Sequence, residues 1–254
     1  MLEYLVCATQ RSGSTLLCEM LAQTGIAGTP NEYLLQWEEH RTRTEPRFWH
    51  EAVDYIKRLG RTPNGVWGCK VMARYFPAMM DCLRNIPEAV GLSDWEIARR
   101  AFGDPPVIRI RRRDRVKHAI SNYIADLTKV YHMASHGAGD DPFLGQALKP
   151  RRDDYNASVP FDRNAIQRYV VKLGREESYW DAQLRDPATR VLTIVYEEFL
   201  DRKEPAIREA LDFLGIPHRG VAFEFREHMA RLYNSVNERF YREYHEGADR
   251  SGNH

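Results

Sequence analysis

Residues 4–17 run Tyr4-Leu5-Val6-Cys7-Ala8-Thr9-Gln10-Arg11-Ser12-Gly13-Ser14-Thr15-Leu16-Leu17. The apolar run Tyr4 to Thr9 has the length and composition of a buried strand. Gln10 to Ser14 is small and polar, with Gly13 at its centre. Leu16, Leu17, Met20 and Leu21 then recur at helical spacing, and Gly25 stands where a C-terminal cap belongs. Strand, glycine loop and helix in immediate succession predict an α/β protein. The expected architecture is three layers, αβα, around a central parallel sheet.

The alternation continues outward. Gly65 to Met72 and Val107 to Arg111 read as further strands, and Arg190 to Val195 as a fourth. Helical spacing predicts helices over Arg47–Leu59, Phe76–Leu83, Asp94–Phe102, Val116–Tyr131, Asp162–Leu184, Pro205–Leu214 and Phe223–Tyr244. Ser93 followed three residues later by Glu96 is a capping box for one of them. Residues 134–160 are rich in Gly, Asp, Pro and Arg and read as a long mobile loop, and 247–254 as a polar tail. No repeat or linker stands out, so the 254 residues read as a single domain, 1–254.

Composition narrows the function. Lys and Arg total 37 and Asp and Glu 36, a net charge of +1 that argues against a nucleic-acid coat or a polybasic membrane binder. No apolar run is long enough to span a membrane. Met1-Leu2-Glu3 leads straight into the first strand, with no secretory pattern. Cys7, Cys18, Cys69 and Cys82 lack Cys-x-x-Cys spacing and lie in apolar segments, as buried thiols of a cytoplasmic protein do.

Two segments carry chemistry. Arg11 to Thr15 sits between strand and helix, where backbone N–H groups and the helix dipole favour an anion. Taken alone, it reads equally well as a solvated turn with a serine cap. The Gly-Lys pair of a P-loop NTPase is missing. A phosphatase-type cysteine loop is also out of register, because only three residues separate Cys7 from Arg11. The second segment, Arg109 to Lys117, packs six basic residues into nine positions, with Asp114 as its one acid. Arg112 and Arg113 fall at the C-terminal edge of a strand, where open α/β sheets bind ligands. Ser121 follows on the next helix. A second anion site is the expectation.

Taken with Tyr196-Glu197-Glu198-Phe199 and Phe213-Leu214-Gly215-Ile216-Pro217, these segments resemble sulfotransferases that use 3'-phosphoadenosine-5'-phosphosulfate (PAPS). They are similar in particular to the bacterial trehalose 2-sulfotransferase type, which Gly25 to Glu32 and Arg61 to Lys70 also resemble. The resemblance implies a P-loop-NTPase-like fold and transfer of a sulfuryl group from PAPS to a hydroxyl of a carbohydrate, glycolipid or other small metabolite. It implies that Arg11, Ser12, Gly13, Ser14, Thr15 and Leu16 hold the 5'-phosphosulfate. Arg112, in preference to Arg113, and Ser121 would hold the 3'-phosphate. Tyr196 would reach adenine, Lys70 would approach the sulfuryl group or the acceptor, and Glu32 would be the general base. Fixed cations and N–H groups take the leaving charge, so no metal is called for. A homodimer is implied as well.

Thr29 stands where the trehalose enzymes carry an acid, which leaves the acceptor open. Trp37, Phe48, Trp49 and Trp67 offer stacking faces for a sugar, though isolated aromatics are more often core. His118 reads as a surface or rim residue. The competing readings are a small-metabolite kinase and a non-catalytic nucleotide- or RNA-binding module on the arginine stripe.

Overall fold

The structure is a computed structural model, which describes residues 1–135, 139–141, 146–148, 150 and 152–249. In chain order the elements are β1 (Leu2–Ala8), α1 (Ser14–Gln23), a 3-10 helix (Tyr33–His40), α2 (Pro46–Arg58), β2 (Val66–Met72), α3 (Phe76–Leu83), α4 (Asp94–Phe102) and β3 (Val107–Arg111). There follow α5 (Arg115–Thr128), β4 (Gly139–Asp141), β5 (Gln146–Leu148), α6 (Arg163–Gln183), β6 (Val191–Val195), α7 (Tyr196–Asp201), α8 (Lys203–Leu214) and α9 (Ser235–Asp249). They fall into two compact units, Met1–Arg111 with Glu176–Phe225 and Arg112–Arg175 with Arg226–His254.

The first unit is built on a four-stranded sheet in the order β2-β1-β3-β6. All three pairings are parallel, with Leu5 opposite both Cys69 and Val107. Parallel strands need crossover helices on the sheet faces, so the central strands read as unbroken apolar runs. Tyr4 to Ala8 and the whole of β2 are buried accordingly. This is the expected α/β architecture with a central parallel sheet.

One face of that sheet packs on Trp37, Trp49, Phe76, Phe102 and Trp180. Trp67 stacks on Phe102 at 5.7 Å between centroids. Two indole N–H groups are satisfied inside the core, Trp67 Nε1 donating to Ile56 O at 2.9 Å and Trp180 Nε1 to Ala8 O at 2.9 Å, whereas Trp37 Nε1 is buried with no partner among the described residues. Trp37, Trp49 and Trp67 are therefore core, worth about 1.5–3 kcal/mol each in apolar burial, and present no stacking face. The outer edge of β2 is covered by Asn31, which bridges Cys69 in parallel and accepts from Lys70 N at 3.0 Å. The capping box at Ser93 is present in full.

The second unit packs α5, the first part of α6 and α9 around Ile120, Tyr123, Ile166, Leu173 and Phe240. Two features differ from expectation. His118 is buried at 2 % exposure, because the α5 face that carries it also carries Ala119 and Asn122 into the interior. The helix expected from Phe223 begins only at Ser235. Asn234 caps it, its carbonyl accepting from Glu238 N at 3.2 Å and its Oδ1 from Val236 N at 3.1 Å. Upstream, backbone bonds run across the chain instead, from Ser135 N to His228 O at 2.7 Å and from Ala230 N to Met133 O at 2.8 Å. Backbone paired in this way is unavailable to a helix.

Within 134–160, β4 and β5 form an antiparallel ladder. Asn156 is fully buried and exchanges amide hydrogen bonds with Asn234 at 2.9 and 3.1 Å. Of the expected polar tail, 250–254 lies outside the described residues, and α9 runs to Asp249. Among the described residues no helix is long and apolar enough to cross a membrane.

Candidate active site

β1 ends at Ala8, and the chain turns before α1 begins at Ser14. Ser12 N donates to Thr9 O at 3.3 Å, which curls the turn closed. Arg11 at φ 63° and Gly13 at φ 92° are both left-handed. For Arg11 this conformation costs about 1–2 kcal/mol. Gly13 has a second reason to be glycine, since a Cβ there would lie 2.2 Å from Cδ2 of Tyr196. Left-handed residues alternating through a turn aim backbone N–H groups into one concavity.

The start of α1 has no side-chain cap and no acid in its first turn. Ser12 is fully buried, and among the described residues its Oγ has no hydrogen-bond partner. An orphaned hydroxyl, uncapped N–H groups and a positive dipole end together fit a phosphate or sulfate group. α5 differs in being capped: Asp114 accepts from Lys117 N at 2.9 Å.

A lysine reaches the loop from the neighbouring strand. Lys70 is only 1 % exposed, and its Nζ donates to Thr15 Oγ1 at 3.2 Å. The same Nζ lies 3.0 Å from Glu32 Oε1. Glu32 is placed by Asn31, which holds the edge of β2 through its carbonyl and accepts from Glu32 N through its Oδ1 at 2.8 Å. One buried ammonium thus joins the anion loop to a carboxylate. Tyr75 closes the far side, donating to Lys70 O at 3.2 Å. Burial and the neighbouring Glu32 raise the Tyr75 phenol well above the usual tyrosine range, so it remains a neutral donor.

The first unit thus brings together Arg11, Ser12, Gly13, Ser14, Thr15, Leu16, Glu32, Lys70 and Tyr196. Tyr196 opens α7 directly after β6, and its ring lies against Gly13. Arg112 and Ser121 belong to the second unit, the first just ahead of α5 and the second within it. Arg109 departs from the expected basic stripe. It is buried, donating to Asp181 Oδ1 at 2.6 Å and Glu177 Oε2 at 2.7 Å. The stripe is partly structural, because strand alternation turns Arg109 onto α6.

Cys7 is core, its thiol raised well above the usual range by burial. Burial also pushes Cys18 up to about 12, which leaves no thiolate for nucleophilic chemistry. Asn31 and Tyr75 had no sequence signal beyond the Pro30-Asn31-Glu32 turn and one aromatic among several.

The profile of the Stf0 sulphotransferase family matches residues 3–247. The chain belongs to that family. The trehalose 2-sulfotransferase of Mycolicibacterium smegmatis is 29 % identical over 239 residues, 84 % of each chain. The enzyme of the same name from Mycobacterium tuberculosis is 28 % identical over 239 residues, again 84 % of each. Among solved structures, a sulfotransferase from Alicyclobacillus acidocaldarius superposes with a TM-score of 0.52 at 12 % identity, covering 96 % of this chain and 92 % of that one. That likeness is one of fold. In this Stf0 sulfotransferase Lys70 of β2 brings a cation to Thr15 from outside the loop that carries Arg11.

Proposed function

We propose that the protein moves a sulfuryl group from PAPS to a hydroxyl of a carbohydrate, a glycolipid or another small metabolite, with Glu32 as general base. A sugar is favoured because the two curated relatives bear the name trehalose 2-sulfotransferase. The observation that carries the reading is Lys70 Nζ standing 3.2 Å from Thr15 Oγ1 and 3.0 Å from Glu32 Oε1.

PAPS supplies a sulfuryl group already bonded to a phosphate leaving group. Ser12, Ser14, Thr15, the peptide at Leu16 and the first N–H groups of α1 bind the 5' end. Arg11 adds a forked donor, and Gly13 lets the backbone approach. Tyr196, against Gly13, offers its ring to the adenosine side. Arg112 and Ser121 we assign to the 3'-phosphate, which would reject ordinary adenosine nucleotides. As the acceptor oxygen attacks, Glu32 takes its proton. Lys70 fixes the Glu32 carboxylate and places positive charge beside the loop, where negative charge grows on the leaving phosphate. Fixed cations and N–H dipoles thus do this work without reorganising.

Calorimetric titration with 3'-phosphoadenosine-5'-phosphate (PAP) beside adenosine-5'-monophosphate tests the donor. Clear preference for PAP is expected, whereas Mg²⁺-dependent binding of ATP alone would overturn the reading in favour of a kinase. Glu32→Gln tests the base: PAP affinity should persist, while sulfuryl transfer in a labelled-donor acceptor screen should fall by about a hundredfold or more.

A further inference from the structure

Glu177 is a buried carboxylate that the chemistry above does not use, and both of its oxygens are engaged. Oε1 accepts from Thr9 Oγ1 at 3.4 Å. Oε2 accepts from Arg109 Nη2 at 2.7 Å and lies 3.5 Å from Arg111 Nε. Its backbone carbonyl accepts from the same Arg109 nitrogen at 3.2 Å. Glu177 is 7 % exposed and Thr9 fully buried. Thr9 is the last residue before the anion loop, and its own carbonyl takes the Ser12 N–H.

A continuous chain therefore runs from the Glu177 carboxylate through the Thr9 hydroxyl and carbonyl to the Ser12 amide. One turn along the same face of α6, Trp180 Nε1 holds Ala8 O at 2.9 Å. Helix α6 grips both residues that lead into the loop, and the Glu177 carboxylate faces Arg109 and Arg111 of β3.

We propose that Glu177 is a positioning residue for donor binding. It sets the anion loop through Thr9 and anchors the end of β3 through Arg109 and Arg111. This rests on the loop's role as the donor site. A low-dielectric setting makes such a carboxylate rigid, because letting go of either partner leaves a buried charge or hydroxyl unpaired. Asp181 pairs with Arg109 as well, but its side chain is 56 % exposed and does not touch the loop root.

The test uses the full chain with Glu177→Gln, Thr9→Val, their double variant and Asp181→Asn. Three quantities are read: PAP affinity by calorimetry, KM against kcat with PAPS, and amide hydrogen exchange at Ser12 and Gly13. Glu177→Gln and Thr9→Val should each weaken PAP about tenfold, the size of one lost charge-assisted hydrogen bond. The loss should appear in KM for the donor, and the double variant should be no worse than Glu177→Gln alone. Loop amides should exchange faster while those of β2 do not. Asp181→Asn should match the wild type.

Wild-type affinity and exchange in both single variants would overturn the proposal, as would additive losses in the double variant. If Glu177→Gln does not fold, Thr9→Val decides by the same two outcomes. If wild type binds no PAP, the donor assignment fails, and exchange at Ser12 alone then supports or overturns the Glu177–Thr9 link.

Discussion

Ser12 shows how a functional residue departs from what folding alone would select. Burying a hydroxyl without a partner costs about 1–3 kcal/mol, yet Ser12 Oγ is buried with none among the described residues. Ser12→Ala should therefore leave the melting temperature unchanged or raise it by a few degrees. PAP affinity should fall about tenfold if that hydroxyl serves the donor. A lowered melting temperature with unchanged PAP binding would show Ser12 to be an ordinary structural serine. Lys70 follows the opposite logic: its buried charge is matched by Glu32, so fold and site share one interaction. Arg11 was legible as a loop cation from its position, but its left-handed backbone was not, since nothing local marks a non-glycine residue for that region.

At the scale of elements, strands and capped helices follow closely from local pattern. The apolar runs that read as strands pair as β1, β2, β3 and β6. Ser93 and Glu96 close their capping box as spaced, with Glu96 Oε2 accepting from Ser93 N at 2.7 Å. Ser93→Ala should cost about 1 kcal/mol, seen as a lower denaturant midpoint with turnover unchanged, because α4 contributes no residue to the site. A drop in turnover at full stability would contradict that separation. The helix expected from Phe223 failed for a reason that local pattern does not contain. Its first half gives its backbone to residues 133–135, over 90 positions away in sequence. The 3-10 helix at Tyr33–His40 escaped notice because its turns are short and its exposed glutamates mask the buried Leu34 and Trp37.

For the whole molecule, the thiols report how completely the sheet is covered. All four cysteines are free and buried. Burial pushes both Cys18 and Cys69 up to about 12. In the unfolded chain a thiol ionises near about 8.5. Between those values the folded state binds more protons than the unfolded, so stability falls as pH rises. Below about 8.5 the contribution is fully present. Urea midpoints should therefore decline from pH 8 to pH 11, and replacing Cys18 and Cys69 together by alanine should flatten that part of the decline. An equal slope in the double variant would assign the loss to other groups.

By itself the sequence determined the α/β class, the strand-loop-helix that carries the anion loop and the family to which the chain belongs. These rest on short-range order: periodicity, a glycine among small polar residues, and spacings that survive without knowledge of distant partners. Only the tertiary structure decided that Lys70 stands between Thr15 and Glu32, which lie 17 positions apart on different elements. It alone took Arg109 out of the basic stripe and paired it with α6, by bringing Glu177 and Asp181 against β3. A charge declares its type in the sequence, but what it faces depends on which elements pack together, and in a parallel sheet those lie far apart in the chain.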